Sequence, residues 1–367
     1  MKNRKIFVFC VFFLYLLTDI SFSENTTKLP VKKIFLLNSV LKKVGIRRGL
    51  LTYPHYQNIA MDSERNLYLL DVKNGRIIKI SPKGEVLKII GHFGTDELGL
   101  YYPQAIYIYN SVLYVITSSI RKKVLKGFDS EGKRLLKIIP FAPKNAVARS
   151  FLVDDKLFYV NLQFTNKSGK PQNLISVFDT KGKRLKSFGK PLKAQSWEGN
   201  IFFNIGLISK YGDSVIGALF YHPIIFHYTT GGKLIYYKNL LKGNFPEIKA
   251  TYEFAKRNCI DTPEKRCSTV NGQISNVNFC YAAGIDRDLN LYYSTWELKE
   301  NLKAPVTPVV YKFDKKGNHK ETFVFTLNGK PVRVCYFIFD KKTGRRYGIG
   351  FIGSIVEKNI PIFLFKF

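Results

Sequence analysis

Between Asn66 and Gly91 the chain reads NLYLLDVKNGRIIKISPKGEVLKIIG. Short apolar runs alternate with clusters of Asp, Asn, Lys, Pro and Gly, and nothing in the stretch has helical spacing. The pattern predicts three short strands separated by two turns. Such a fragment has an apolar face and nothing of its own to bury it against. The rest of the chain must supply the neighbours.

The same pattern recurs along the chain. One kind of polar turn joins two apolar strands: Asp62–Asn66, Asn110-Ser111, Asp154–Lys156, Tyr211–Asp213, Asp286–Asn290 and Asp340–Gly344. A second, tighter kind ends in glycine, at Gly84, Gly132, Gly182, Gly232 and Gly317. Asp and Asn suit turns because their side chains bond nearby backbone, and glycine because it accepts positive φ. The glycines are 48, 50, 50 and then 85 residues apart. Four-stranded units at this period predict an all-β, six-bladed β-propeller with antiparallel blades.

The first kind of turn occurs six times and the second five, so the sixth unit runs out of chain after three strands. Val31–Val40 is a strand-like segment with no blade of its own. It resembles the outer strands VLKIIG and RLKSFG. The ring is therefore expected to close by pairing this N-terminal strand with the C-terminal blade, which also hides an open sheet edge. The expected blades cover about 54–91, 103–139, 149–189, 203–240, 276–326, and 332–367 completed by 31–40, with a loop insertion over 242–275. The propeller as a whole spans 24–367.

Pro54–Gly91 resembles one NHL repeat: a proline, then IAMD, a turn, NLYLLD, GRIIKI, a glycine turn and LKIIG. The resemblance is good in the first unit, partial over Pro103–Ile139 and weaker beyond. Thr229 stands where the fourth unit would ordinarily carry Asp. The resemblance implies a six-bladed propeller and leaves function open, because such propellers host binding, scaffolding and catalysis.

The first residues change the picture of where the protein works. Lys2, Arg4 and Lys5 precede the apolar run Ile6–Leu17, and Ser21-Phe22-Ser23 follows. This reads as a signal peptide, residues 1–23, cleaved near Ser23; the run is shorter than the ~20 residues that span a bilayer. The mature protein is expected to be periplasmic or secreted. Export permits disulfides. Cys259 and Cys267 lie close together in a polar segment and make a plausible pair, whereas Cys280 and Cys335 sit in apolar runs and read as buried thiols.

Composition adds a partner class. There are 58 Lys and Arg against 27 Asp and Glu, a net charge of +31. That balance favours anionic partners: acidic polysaccharide, a lipid surface as a peripheral contact, or nucleic acid. Export makes a cellular nucleic acid the least suitable of them.

In a propeller, connections from one blade to the next and from second to third strand open on one face. All long segments of this sequence fall there, so that loop face is the candidate binding surface. It carries Tyr102, Arg121, Lys122, Trp197 and Trp296, aromatic groups that stack on sugars and cations that hold anions. At the starts of the innermost strands, Gln57, Gln104, Arg149, Asn204 and Asn278 are expected to converge on the channel mouth and offer donors to a polar or anionic group.

Catalytic readings find less support. Lactonase-like propellers hold a divalent cation with carboxylates at those strand starts, and here the positions carry amides and arginines. A hard cation needs charged oxygen ligands. A lyase of the amidoglycolate type needs histidine-bound zinc, for which only His55, His92 and His222 are placed on the loop face. No G-x-S-x-G elbow or glycine-rich phosphate loop is present, and no cofactor or metal is expected. The sequence thus describes an exported, NHL-like propeller acting as a binding module for an anionic or carbohydrate-bearing envelope partner or a protein. The alternative is a propeller hydrolase or lyase using a channel-mouth metal.

Overall fold

A computed structural model describes residues 26–45, 57–163, 172–193, 200–201, 203–258, 280–296, 308–340, 343–352 and 362–367. Six four-stranded antiparallel blades form a ring, each with its strands A to D running outward from the axis. Blade one is Ile59–Met61, Leu67–Asp71, Arg76–Ile80 and Val86–Ile90. Blade two is Tyr101–Tyr109, Val112–Ser118, Lys122–Phe128 and Leu135–Pro143. Blade three is Val147–Val153, Leu157–Gln163, Ile175–Asp179 and Arg184–Phe188. Blade four is Gly206–Tyr211, Ser214–Leu219, Ile224–Thr229 and Leu234–Asn239. Blade five is Ala282–Ile285, Leu291–Trp296, Pro308–Phe313 and His319–Leu327. Blade six is Arg333–Phe339, Arg346–Phe351 and Ile362–Lys366, completed by Lys32–Leu36. The A strands of successive blades touch around the channel.

The segment Asn66–Gly91 shows how the ring is held. Strand B of blade one, LYLLD, is buried throughout. Its Leu67 and Leu69 enter the apolar core shared with blade six, and Tyr68 and Leu70 the core shared with blade two. A period of two thus sends alternate side chains into two different seams. Every pair of neighbouring blades shares such a core. No blade has a finished interior by itself.

The glycine turns serve the same seams. Gly84, Gly132, Gly182, Gly232 and Gly317 all have φ between 62° and 95°. In each, the glycine N–H donates to the carbonyl three residues back, at 2.8–3.0 Å. Thr229 replaces Asp in the fourth without loss of the cap, because its hydroxyl accepts from the Lys233 N–H at 3.1 Å. A Cβ at these glycines would press on the D strand of the preceding blade: Ile90 behind Gly132, Pro140 behind Gly182, Phe188 behind Gly232, Tyr236 behind Gly317. Behind Gly84 the same position is filled by Phe35. The N-terminal strand therefore occupies the place of a D strand in packing as well as in hydrogen bonding.

Closure differs in detail from the expected single strand over 31–40. Lys32–Leu36 pairs antiparallel with Ile362–Lys366, with Lys33 opposite Phe365 and Leu36 opposite Phe363. Before it, Thr26–Pro30 adds a fifth, parallel strand to the outer edge of blade five. After it, the chain turns into helix α1, Leu37–Lys43. Leu37, Val40 and Leu41 recur at helical spacing and are buried in the seam between blades six and one. Each contributes about 2 kcal/mol by burial. Asn38 accepts from the Ile362 N–H at 2.6 Å and fixes the helix against blade six. One N-terminal segment thus straps two seams.

The expected loop insertion over 242–275 contains helix α2, Pro246–Asn258, in its described part. Pro246 opens it without wasting a donor, and Glu247 sits in the first turn, where a carboxylate is favoured. Glu247 accepts from the Tyr311 hydroxyl and ties the helix to blade five. Residues 1–25, with the expected signal peptide, lie outside the described residues, as do Cys259 and Cys267. Cys280 and Cys335 are buried and free, and burial pushes both thiols up.

Candidate functional site

On the loop face, blade two gathers three of the expected residues. Tyr101 pairs with Ser118, which places Tyr102 beside the turn carrying Ile120, Arg121 and Lys122. Two extra residues bulge between Tyr101 and Ala105, and Tyr102 takes a positive φ of 47°. That conformation turns its ring outward, 55% exposed. Phe93 lies 5.3 Å from Tyr101 and 5.6 Å from Tyr102, and the two tyrosine rings are 4.5 Å apart. Ile120 is 70% exposed at the tip of the neighbouring turn. Lys122 faces Pro143 across the blade, bringing in Lys144, whose ammonium stands 6.0 Å from the Tyr101 ring. Trp197 lies outside the described residues, and so does the side chain of Trp296.

The patch is held from beneath. Lys126 is buried and donates to the carbonyls of Asp96, Glu97 and Gly99 at 2.6, 3.0 and 2.7 Å. All three ammonium donors are thereby used, and the loop from His92 to Leu100 is fixed under Phe93. Lys123 is also buried and donates to the Ser118 hydroxyl at 2.8 Å. Burial, helped by the charge of Lys144, pulls it down to about 8. Three aromatic rings, an isoleucine and the exposed Arg121, Lys122 and Lys144 thus form one surface. Phe93, Ile120 and Lys144 were not singled out from the sequence, because only the strand register brings them together.

The residues expected at the channel mouth are placed differently from one another. Gln57 bridges blades one and three: its N–H donates to the Arg149 carbonyl at 3.1 Å, and its Oε1 accepts from the Phe151 N–H at 2.9 Å and the Ser150 hydroxyl at 3.3 Å. Ser150 in turn accepts from the Ile208 N–H of blade four at 3.0 Å. Gln104 accepts from the Ala148 N–H at 3.2 Å. Burial draws the Arg149 guanidinium down to about 10, partly offset by Tyr221. Gln57, Gln104 and Arg149 therefore meet where blades one, two and three adjoin. Asn204 lies apart. It is fully buried and binds Leu192 and the Asn200 carbonyl at 2.7–2.9 Å, fixing the connection into blade four. Asn278 lies outside the described residues.

Below the Gln57–Ser150 bridge the channel opens into a cavity of about 510 Å³. Its wall runs from Gln57 to the turns between strands A and B, at Asp62, Ser63, Asn110, Ser111 and Asp340. This is the face opposite the long loops. Sequence reading passed over it because those turns are uniformly short. Among the described residues, no group of three His, Cys, Asp or Glu is arranged to hold a metal ion. His222 packs edge-on against Phe203 at 4.5 Å, and burial pushes it down to about 4.

No family model and no curated protein matches this sequence. Among solved structures the chain is similar to regucalcin, a calcium-binding protein of Agrobacterium tumefaciens, at 9% identity and a TM-score of 0.47 over 93% of this chain and 95% of that one. It is similar to a member of the DUF4221 family from Bacteroides vulgatus, at 11% identity and a TM-score of 0.47 over 86% and 93%. It is also similar to virginiamycin B lyase of Staphylococcus aureus, at 11% identity and a TM-score of 0.46 over 84% and 79%. At these identities the likeness concerns the fold alone. The chain is a six-bladed β-propeller, and its chemistry has to be read from its own residues.

Proposed function

We propose that this NHL-like propeller works outside the cytoplasm as a binding module, and that the loop face of blade two takes an anionic glycan of the cell envelope. The observation that carries the reading is the patch of Phe93, Tyr101 and Tyr102 beside Arg121, Lys122 and Lys144. Exposed rings offer flat apolar faces to sugars, and the cations beside them hold carboxylates. The net charge of +31 draws a polyanion to the surface. Rigid support from Lys126 limits the ordering cost of binding.

The test compares alginate, a polyuronate, with uncharged dextran. Alginate affinity is expected to fall steeply with added salt. Tyr102→Ala and Arg121→Ala/Lys122→Ala are each expected to weaken it by about tenfold, the second also flattening the salt response. Dextran binding as tight as alginate, or alginate binding indifferent to both variants, would overturn the reading.

A further inference from the structure

We propose that the outer seam between blades four and five holds a separate ligand site, one that takes a small amphipathic anion: an apolar body carrying a single carboxylate. This site is independent of the loop-face reading. A cleft of about 660 Å³ opens there, within the roughly 300–1,000 Å³ typical of small-molecule sites. Its shape follows from how the two blades meet. The glycine turn of blade five packs Gly317 onto Tyr236 of the preceding D strand. Beyond Tyr236 that strand ends at Asn239, and the chain leaves the sheet through a short 3-10 turn, Leu240–Lys242, toward α2. Hydrogen bonds fix this exit. The Asn239 side chain accepts from the Leu241 N–H at 3.0 Å, the Leu240 N–H donates to the Pro223 carbonyl at 2.8 Å, and the Gly243 N–H donates to the Leu240 carbonyl at 3.0 Å. The wall is thus held in place before a ligand arrives, which limits the ordering that binding requires.

The lining suits an apolar body. Gly243 has no side chain, and a Cβ there would stand 2.4 Å from the Phe245 Cε2, so the Phe245 ring folds back close against the turn. That ring is buried, 4.9 Å from the Tyr311 ring, 5.6 Å from Phe313 and 5.5 Å from His319, to which it stands nearly perpendicular. Leu192, Ile224 and Leu240 complete the apolar lining with Phe245 and Phe313. The charged groups suit an anionic head. Lys238 and Lys242 both line the cleft, and among the described residues no Asp or Glu does. Lys242 is exposed and has neither an ion pair nor a hydrogen bond among the described residues. Lys238 donates to the Asn318 Oδ1 at 3.3 Å, a neutral acceptor that leaves its charge uncompensated. The carboxylates of the neighbouring strands and helix are already engaged. Asp314 accepts from the N–H groups of Lys316 and Asn318 and stands 3.5 Å from Lys320. Glu321 stands 3.2 Å from Lys312, and Glu247 accepts from the Tyr311 hydroxyl. A carboxylate entering the cleft therefore meets two cations free of ion pairs, while its body meets packed rings and aliphatic groups.

The probe is 4-phenylbutyrate. It is compared with 4-phenylbutylamine, which reverses the sign of the head, and with butyrate, which keeps the head and lacks the ring. Calorimetry and ligand-observed NMR on the full chain are expected to show saturable binding of 4-phenylbutyrate, about tenfold or more tighter than either comparison. Lys238→Met/Lys242→Met keeps the apolar stems and is expected to weaken it by about fivefold while leaving the melting profile unchanged. Asn318→Trp fills the cleft from an exposed position whose backbone N–H still donates to Asp314, and is expected to abolish binding. Arg121→Ala/Lys122→Ala in blade two is expected to leave it intact, so failure of one site is distinguishable from failure of the other. Butyrate binding as tight as 4-phenylbutyrate would mean that the net charge of +31 alone attracts the anion, and would overturn the proposal. So would no saturation up to about 10 mM, equal or tighter binding of the amine, indifference to the lysine pair or to Asn318→Trp, or loss of binding in the blade-two variant.

Discussion

Blade six contains a packing arrangement whose energetics change sign with context. Strand B carries Gly348 and Gly350, and strand C lays Phe365 opposite Gly348 and Phe363 opposite Gly350. Phe365 is fully buried, with Phe325 at 5.5 Å and Phe363 and Phe367 at 6.0 Å. A Cβ on Gly348 would stand 2.3 Å from its Cζ and 2.8 Å from its Cε2. Phe365→Ala should cost about 4–5 kcal/mol, the upper part of the usual range, because two facing glycines have no side chain that could move into the void. Gly348→Ala in the native background should cost about 1–3 kcal/mol by overpacking. In the Phe365→Ala background the same methyl has room. It should then stabilise by about 0.5–1 kcal/mol, since alanine loses less backbone entropy than glycine in a strand. The coupling between the two positions is therefore expected to reach about 2 kcal/mol or more. Equilibrium unfolding in guanidinium of the native protein, both single variants and the double variant gives it from the midpoints, provided the slopes agree. If Gly348→Ala has the same effect in both backgrounds to within about 0.5 kcal/mol, the glycine–phenylalanine pairing does not hold this blade.

Two further outcomes concern His222, in the connection between the second and third strands of blade four, and the Gln57 bridge. His222 is held at about 4 by burial, and its Nε2 has no hydrogen-bond partner among the described residues. The unfolded chain takes up this proton near the ordinary value of 6.5. Stability should therefore be full above that pH and fall by about 1.4 kcal/mol per pH unit as pH drops from 6.5 toward 4; His222→Gln should remove that slope from a series of denaturant titrations. Gln57→Leu should cost about 1–3 kcal/mol, because the buried Phe151 N–H loses its acceptor, whereas Gln57→Glu, which keeps an acceptor, should cost less in the same unfolding assay.

Much of this molecule was legible because its signals are local and repeated. The five glycine turns need positive φ at one residue each, and that requirement is visible as a glycine at regular spacing. Strand D of blade six was legible by subtraction, since three strands had to find a fourth. What escaped reading depends on contacts distant in sequence. Thr26–Pro30, TTKLP, has no apolar alternation; its strand exists only because the edge of blade five is open to it. Leu37, Val40 and Leu41 also fit a strand reading, and only the seam they fill makes the segment helical. Pro246 and Glu247 did announce α2, but the polar segment beyond them disguised it as part of a loop. At the candidate site, Tyr102, Arg121 and Lys122 were visible by type and by their place in long connections. Phe93 and Lys144 became neighbours only through the register of blade two. The turn-end cavity left no motif, because its wall is made of ordinary strand residues from every blade.

The placement of both proposed sites depends on a ring closed by the N-terminal strand. Amide hydrogen exchange on the native protein, followed peptide by peptide, reads this directly. Lys32–Leu36 and Ile362–Lys366 should be protected together and lose protection together when the protein is destabilised, since each supplies the other's hydrogen bonds. Exchange of 32–36 at the rate of an unstructured chain, with 362–366 still protected, would contradict the closed ring.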